Sequence, residues 1–162
     1  MPKTRLATYR HVGPYTEIDR GWQTLEKILP DRPWERPTSR IFSVYHDDWM
    51  TCPADRQRSE LGFSVPWTLR LPARTFELII PAGLYIASRH SVSREENRHV
   101  WRQLTGRWLP RRGSRPTNIP AISEHAEWPR AHTNVPRKVF LGIDIQFPQA
   151  WKIPDPVAPG QS

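Results

Sequence analysis

The sequence predicts an α+β fold: two tandem strand–helix–strand–strand units, related by a pseudo-twofold axis, with an antiparallel sheet, two helices and a central ligand cleft. An internal repeat and its matching hydrophobic periodicity carry this prediction. The stretch ATYRHVGPYTEIDRGWQTL, residues 7–25, contains an Arg-His pair that recurs 79 residues later, and Trp22 recurs as Trp101 at the same offset. A repeat at half the length of a chain indicates two copies of one structural unit.

The repeat continues beyond its first motif at nearly the same spacing. Residues 61–65, LGFSV, return as residues 141–145, LGIDI, at an offset of 80. A change of offset from 79 to 80 requires one inserted residue in the second copy. Two such units packed about a twofold axis leave a groove at their junction, and ligands commonly bind in grooves of this kind.

The first unit is predicted from alternation and from one helical stripe. Residues 5–11 alternate and are rich in strand-forming residues, and further strands are expected at 40–46 and 59–65. Between them, four apolar residues fall on one face of a helix: Ile18, Trp22, Leu25 and Leu29.

The second unit repeats this order after an additional strand at 75–80. Strands are expected at 83–90, 120–126 and 138–146. The four equivalent helical positions are Asn97, Trp101, Leu104 and Trp108. We therefore predict one domain over residues 1–147, with units at about 5–66 and 83–146. An extended, proline-rich and partly disordered tail is expected over 148–162.

Composition restricts the class of protein. The chain has 162 residues, 37% of them hydrophobic, with 8 Trp and 18 Pro, which suits one domain with short elements and an aromatic core. It shows neither an apolar run of membrane-spanning length nor a signal peptide, so we expect a soluble, cytoplasmic protein with no membrane partner. The lone Cys52 excludes a disulfide framework and a cysteine-based zinc site. No metal and no cofactor are predicted.

The formal net charge is +8, and 20 of the 24 basic residues are arginines. The densest basic patch is on and after the second predicted helix: Arg94, Arg98, Arg102, Arg107, Arg111, Arg112 and Arg115. Such a patch favours an anionic partner such as nucleic acid or an acidic protein surface. A solvated helix face beside a basic loop is the alternative interpretation.

Several motifs together resemble the GyrI-like small-molecule-binding domain. These are the stretch from residue 7 quoted above, RIFSVYHDDWMTCPADRQRSELGFSV, IPAGLYIASRH and WRQLTGRWLP, and the resemblance covers about residues 5–146. It implies the same tandem fold with a ligand cleft between the units. Members of the family serve as effector domains of AraC- and MerR-type multidrug regulators, inhibit DNA gyrase, or hydrolyse cyclopropane-bearing genotoxins, and haem-binding relatives belong to the superfamily. The repeat begins almost at Met1, so we expect no DNA-binding domain in this chain.

The resemblance also implies a buried glutamate as counter-ion for cationic, lipophilic ligands. In the segment PAISEHAEW, an ungapped count puts Ser123 at the glutamate position and His125 at the position of a family tyrosine. Strand alternation would then turn Glu124 away from the cleft. A one-residue bulge would bring Glu124 into the cleft, and this is the arrangement we expect. Glu124 would then pair with a cationic ligand or, in a hydrolase, act as general base on water.

The remaining candidate cleft residues come from strand parity and from the repeat. Tyr45, Ser43, Ser123 and His125 are candidates by parity, and a reversed strand face is the alternative. Trp22 and Trp101 occupy equivalent points of the two helices, and core packing is the alternative for both. Trp67 follows a strand end and is a further candidate, with an ordinary surface aromatic as its alternative. The resulting hypothesis is a stand-alone protein that binds a hydrophobic or aromatic ligand, cationic or neutral, for sequestration or resistance. The alternatives are a hydrolase that uses Glu124, and an inhibitor of DNA gyrase or modulator of another protein.

Overall fold

The computed structural model describes residues 1–90, 94–111, 115–116, 120–129 and 137–144. The strands within these ranges are β1 (Thr4–Val12), β2 (Ile41–Tyr45), β3 (Arg58–Ser64), β4 (Phe76–Ile80), β5 (Tyr85–His90), β6 (Arg115–Pro116), β7 (Ala121–His125) and β8 (Arg137–Asp144). The helices are α1 (Ile18–Ile28), α2 (Arg94–Gln103) and the short α3 (Leu109–Arg111), which a π-helical segment, Leu104–Trp108, joins to α2. The predicted tail over 148–162 lies outside the described residues.

The strands form one antiparallel sheet in the order β4-β1-β3-β2-β7-β8-β5, and β6 adds a short pair to β8. The first unit contributes β1-β3-β2 and the second contributes β7-β8-β5. In each unit the third strand along the chain lies between the first and the second. The predicted α+β class and antiparallel sheet are confirmed, and the two halves have the same strand order, related by a twofold axis.

The junction between the units is the antiparallel pair β2–β7. Ser43 lies directly opposite Ser123, and these two serines are equivalent in the repeat at an offset of 80. Two residues further along, Tyr45 faces Ala121, which is the equivalent of Ile41. Only a twofold axis between Ser43 and Ser123 gives this register, because a residue on such an axis faces its own equivalent.

Both main helices cover the same face of the sheet, here called the helix face. Ile41 on β2 belongs to the core cluster that contains Trp22 of α1. Ala121 on β7, its equivalent, packs against the cluster that contains Trp101 of α2. Ile41 and Ala121 share the side of the sheet taken by the Ser43–Ser123 pair, since side chains alternate along a strand. Trp22 and Trp101 therefore occupy equivalent places in the two units.

The opposite face of the sheet is concave and encloses a second core. A flat sheet of seven strands would be about 29 Å wide between β4 and β5. The four residues that connect these strands reach only about 17 Å when fully extended, so the sheet must curl. The buried hydrophobic residues on this concave face are Leu6, Phe42, Val44, Ile80 and Ile122, with Tyr85 packed against them. Gly62 permits close packing of β1 on β3, because a Cβ there would clash with the carbonyl group of Ala7.

The second helix contains the one residue that changes the repeat offset from 79 to 80. In α1 the Leu29 amide donates to the Leu25 carbonyl, four residues back. In the second unit the Leu109 amide donates to the Leu104 carbonyl, five residues back, across the π-helical segment. A single inserted residue in a helix produces this widened turn.

The prediction that Trp108 completes the second helical stripe is wrong. Leu109 is 0% exposed and takes that position, whereas Trp108 is 37% exposed. The physical reason is the π-helical turn, which moves the buried position along the chain by one residue and leaves Trp108 at the surface.

Deleting Gly106 should give a folded protein whose melting temperature stays within a few degrees of the original. The deletion turns the Leu104–Leu109 spacing into the i, i+4 spacing of Leu25 and Leu29, and a Cβ built on Gly106 meets no neighbouring atom within 4 Å. The matched control deletes the exposed Gln23 of α1, which rotates Leu25 and Leu29 by about 100° from Trp22. Thermal unfolding followed by circular dichroism should show a folded first variant and an unfolded or strongly destabilised control. Equal damage from both deletions would contradict the insertion.

Candidate functional site

The twofold axis crosses the helix face at a hydrogen-bonded pair of polar side chains. Ser43 Oγ lies 2.8 Å from His125 Nε2, and both residues are buried. The bond is diagonal across β2 and β7, because Ser43 faces Ser123 and His125 follows two residues later. A serine and an imidazole in contact can each donate or accept a hydrogen bond, so the pair can orient a polar group placed above it.

Ser123 lies next to this pair and is 0% exposed. Its Oγ has no hydrogen-bond partner, although it is buried. An unsatisfied buried hydroxyl costs about 1–3 kcal/mol, and such groups in native proteins frequently mark a function. Of the three polar side chains at the axis, Ser123 thus retains a complete hydrogen-bonding capacity.

A chain of aromatic rings forms one wall of the site. The ring of Trp22 is 5.7 Å from that of His125, edge to face, and 4.7 Å from that of Trp128. Trp128 in turn stacks on Trp34 at 3.8 Å, and Trp34 contacts Phe63. The wall offers extended apolar contact to a flat molecule. Sequence reasoning missed Trp34 and Trp128, since neither belongs to a periodic segment.

Tyr45 lies on the other side of the axis, at the end of β2, and its ring contacts Tyr15, which follows β1. Its ring is 5.0 Å from that of Tyr15. The Tyr15 hydroxyl donates to the Arg58 carbonyl at 2.9 Å and accepts from the Asp47 amide at 3.0 Å, and its burial raises its pKa. Hydrogen bonds from Arg58 hold the pKa of the Asp47 carboxyl below its usual value. These contacts fix the stem of the loop that follows β2.

That loop also reaches the second unit. The Arg102 guanidinium of α2 lies over the ring of Trp49, 5.9 Å from its centroid. Residues of both units therefore meet at this end of the site, as the twofold arrangement requires.

The expectation that a bulge brings Glu124 into the cleft is wrong. β7 pairs with β2 without interruption from Ala121 to His125, so Glu124 points to the concave face. There its Oε1 accepts from Arg40 Nε at 2.7 Å. Regular strand alternation decides the matter, since Ser123 and His125 on either side both point to the helix face.

Trp67 lies at the surface, in agreement with the alternative interpretation of an ordinary surface aromatic. Its ring is 53% exposed and lies beneath the Lys3 ammonium, 5.1 Å from the centroid, at the edge of the sheet. Trp101 is buried in the core under α2. Arg102, Arg107 and Arg111 are exposed. The side chains of Arg94, Arg98 and Arg115, and the whole of Arg112, lie outside the description.

A buried carboxylate on the concave face escaped sequence reasoning. Glu60 is 3% exposed, accepts from Thr8 Oγ1 at 2.7 Å and from Arg10 Nη2 at 3.0 Å, and lies 3.7 Å from His46 Nε2. Burial alone would raise the Glu60 pKa, but His46, Thr8 and Arg10 together outweigh it and hold that pKa at about 2. The repeat gave no signal, because its equivalent is Phe140.

A cavity of about 290 Å³ opens away from the axis, between residues 33–39 and residues 63–66. Ser43, Ser123 and His125 do not line it. Among the described residues, no three His, Cys, Asp or Glu side chains are grouped as metal ligands. In the same part of the chain, no helix combines the length and apolar character needed to cross a bilayer.

Glu60→Gln should destabilise the fold by about 2 kcal/mol at pH 7, somewhat less than the full pKa displacement implies because Arg10 is largely exposed. The folded-state pKa is depressed from 4.5 to about 2, so the contribution is present above pH 4.5 and is lost as the pH falls towards 2. Urea unfolding at pH 7, 4.5 and 3 should show the difference shrinking. The control, Glu77→Gln, removes an exposed partner of Arg5 and should change stability by less than about 0.5 kcal/mol. A constant Glu60→Gln effect across pH would contradict this assignment.

Comparison with known proteins identifies relatives of both sequence and fold. The chain is 30% identical over 118 residues to a DNA gyrase inhibitor of Yersinia enterocolitica, covering 70% of this chain and 74% of that protein. The C-terminal domain of EcmrR has the same fold, with a TM-score of 0.65, 14% identity and coverage of 89% and 93% of the two chains. Against EcmrR in complex with DNA the TM-score is 0.69, and this chain spans 55% of that longer chain.

SAV2435 bound to tetraphenylphosphonium also shares the fold, with a TM-score of 0.61, 6% identity and coverage of 89% and 90%. A family model of the GyrI-like small-molecule-binding domain matches residues 1–135. By its sequence, the chain belongs to the GyrI-like small-molecule-binding domain family.

Proposed function

We propose that this protein binds a hydrophobic, aromatic small molecule on the helix face at the twofold axis, as a cytoplasmic agent of sequestration or resistance. The observation that carries the proposal is the buried Ser43–His125 pair beside the unsatisfied hydroxyl of Ser123. Polar groups are costly in a core and are retained where they serve recognition. The neighbouring wall of Trp22, Trp34 and Trp128 supplies apolar contact area for a flat ligand.

The relatives support the same class of function. The family is one of small-molecule-binding domains, and SAV2435 is seen with tetraphenylphosphonium. In this chain Ser43 and Ser123 are fully enclosed, so a ligand reaches them only when a covering side chain moves. Trp128 is the candidate, because it is half-buried and packs on Trp22 and Trp34 as a ligand ring would. On binding, the ring of the ligand would replace Trp128 in its contacts with Trp22 and Trp34.

Hydrolysis with Glu124 as general base receives less support. The Glu124 carboxylate is engaged by Arg40 on the face opposite the site, whereas a general base must reach the proton that it removes. The His125 imidazole is better placed to move a proton at the axis, but its contact is with Ser43, which orients it for binding equally well.

Inhibition of DNA gyrase is a second candidate, favoured by the Yersinia enterocolitica relative. The exposed Arg102, Arg107 and Arg111 follow one another along the second helix, and Trp108 is displaced to the surface among them. A basic surface with an exposed aromatic suits an anionic partner such as DNA-bound gyrase. This surface is distinct from the polar residues at the axis, so the two functions are separable.

His125→Ala should weaken the binding of an aromatic ligand about tenfold, the value of one hydrogen bond of about 1.4 kcal/mol. Glu124→Gln is the matched control on the same strand and should leave affinity unchanged. A thermal-shift screen of lipophilic cations, neutral aromatics and haem identifies the ligand, and titration calorimetry then measures each variant. A loss confined to Glu124→Gln would contradict the site at the axis.

Replacing Arg102, Arg107 and Arg111 together by alanine should abolish any inhibition of gyrase-catalysed supercoiling. Binding that depends on phosphate contacts should also weaken steeply between 50 and 200 mM salt, by about a thousandfold or more for six or more contacts. The control replaces three exposed arginines elsewhere, Arg20, Arg56 and Arg70, and removes the same charge. Equal loss in both triple variants would indicate a general charge effect and would contradict a specific surface.

A further inference from the structure

We infer that the ligand at the axis is an uncharged aromatic molecule carrying a polar oxygen, and that Ser123 donates a hydrogen bond to that oxygen. This inference rests on the proposed function and narrows its ligand class. It sets the chain apart from a pocket built for lipophilic cations, because none of the anchoring groups at the axis is a carboxylate.

The described strand residues that point to the helix face near the axis carry no carboxylate. Within the described β2, β3 and β7, the residues that point to this face near the axis are Ile41, Ser43, Tyr45, Ser59, Leu61, Ala121, Ser123 and His125. None of them is a carboxylate. A cation buried there would find no counter-ion on these three strands, and an unpaired buried charge is strongly unfavourable.

The nearby glutamates cannot take over this role without breaking other contacts. Glu124 is paired with Arg40 across the concave face, and Glu60 is held there by Thr8 and Arg10. A one-residue slip of β7 would bring Glu124 to the helix face, but it would also move Ile122 out of the concave core, where it is 1% exposed. The register therefore holds the acid away from the site.

The aromatic wall does not replace the missing charge. A cation needs the open face of a ring. In the ligand-free protein Trp34 is stacked against Trp128, with the ring planes 16° apart, and Trp22 meets His125 edge to face at 84°. When Trp128 moves, the freed ring face can stack on a flat neutral ring. For a cation, the attraction to such a face is weaker than the cost of removing an ion from water.

Ser123 supplies the hydrogen-bond donor for the oxygen of the ligand. Its hydroxyl is fully buried, unpartnered and directly across the axis from Ser43, whose own hydroxyl is engaged by His125. A carbonyl, N-oxide or similar oxygen placed above the axis accepts from Ser123 without disturbing the Ser43–His125 bond. The ligand thereby satisfies a group that the ligand-free protein leaves unsatisfied.

The experiment uses two flat probes of nearly equal shape, neutral quinoline N-oxide and cationic N-methylquinolinium. Titration calorimetry on the full chain should give at least tenfold tighter binding for the N-oxide. Ser123→Ala should weaken N-oxide binding at least fivefold, leave the N-methylquinolinium affinity unchanged, and raise the melting temperature of the ligand-free protein. Lower affinity with higher intrinsic stability separates a recognition role from a structural one. Ser123→Cys, a weaker donor of similar volume, should give the same order with smaller effects.

Two results would overturn the inference and leave the proposed function intact. One is tighter binding of N-methylquinolinium together with its loss in Glu124→Gln. The other is N-oxide binding that Ser123→Ala and Ser123→Cys leave unchanged while His125→Ala removes it. If neither probe binds, and no compound of the thermal-shift screen does so either, the proposed function fails and the inference fails with it.

Discussion

The pairing of β2 with β7 is the constraint on which the rest of this structure depends. It joins the two units within the sheet, and its register puts Ser43 opposite Ser123 on the twofold axis. From that register follow the common face of the two helices and the meeting of side chains from both units. A pairing shifted by a single residue would exchange the residues of the helix face for those of the concave face along a whole strand.

The same register separates two kinds of polar chemistry. On the helix face it gathers hydroxyl groups and an imidazole beneath Trp22. On the concave face it leaves Glu60 and Glu124, each with an arginine, on either side of an apolar core. The curl of the sheet makes this second face an interior, which is why Glu60 is as buried as the hydrophobic residues around it. The two glutamates therefore lie on one face of the sheet, and the serines and the imidazole lie on the other.

Much of the fold could be predicted from the repeat. Strand alternation and the stripe from Ile18 to Leu29 gave the first unit nearly to its boundaries, and equal spacing gave the second. The two errors have different causes. The equal spacing predicts Trp108 at the fourth position of the second helical stripe, because the repeat shows that one residue is inserted but not where in the helix it lies. Glu124 was placed in the cleft because the family pattern was preferred to strand parity.

The candidate site was predicted in part. Parity placed Ser43, Ser123 and His125 on one face, and the structure brings them together with Trp22. Trp34, Trp128 and Glu60 were missed for a different reason. The two tryptophans lie outside any periodic segment, and a glutamate in a strand is usually exposed to solvent. Their burial depends on how distant segments close over the sheet, which no local pattern encodes.

The twofold relation is broken at the positions that matter for recognition. Tyr45 and His125 are equivalents at an offset of 80, yet one is a phenol and the other an imidazole, and only His125 contacts the serine across the axis. A site with two identical halves would hold a lopsided molecule equally well in two opposite poses. The two halves of this site differ chemically, so an asymmetric ligand has one preferred orientation. The duplicated units enclose the site from both sides, and the difference between Tyr45 and His125 determines the orientation of the ligand within it.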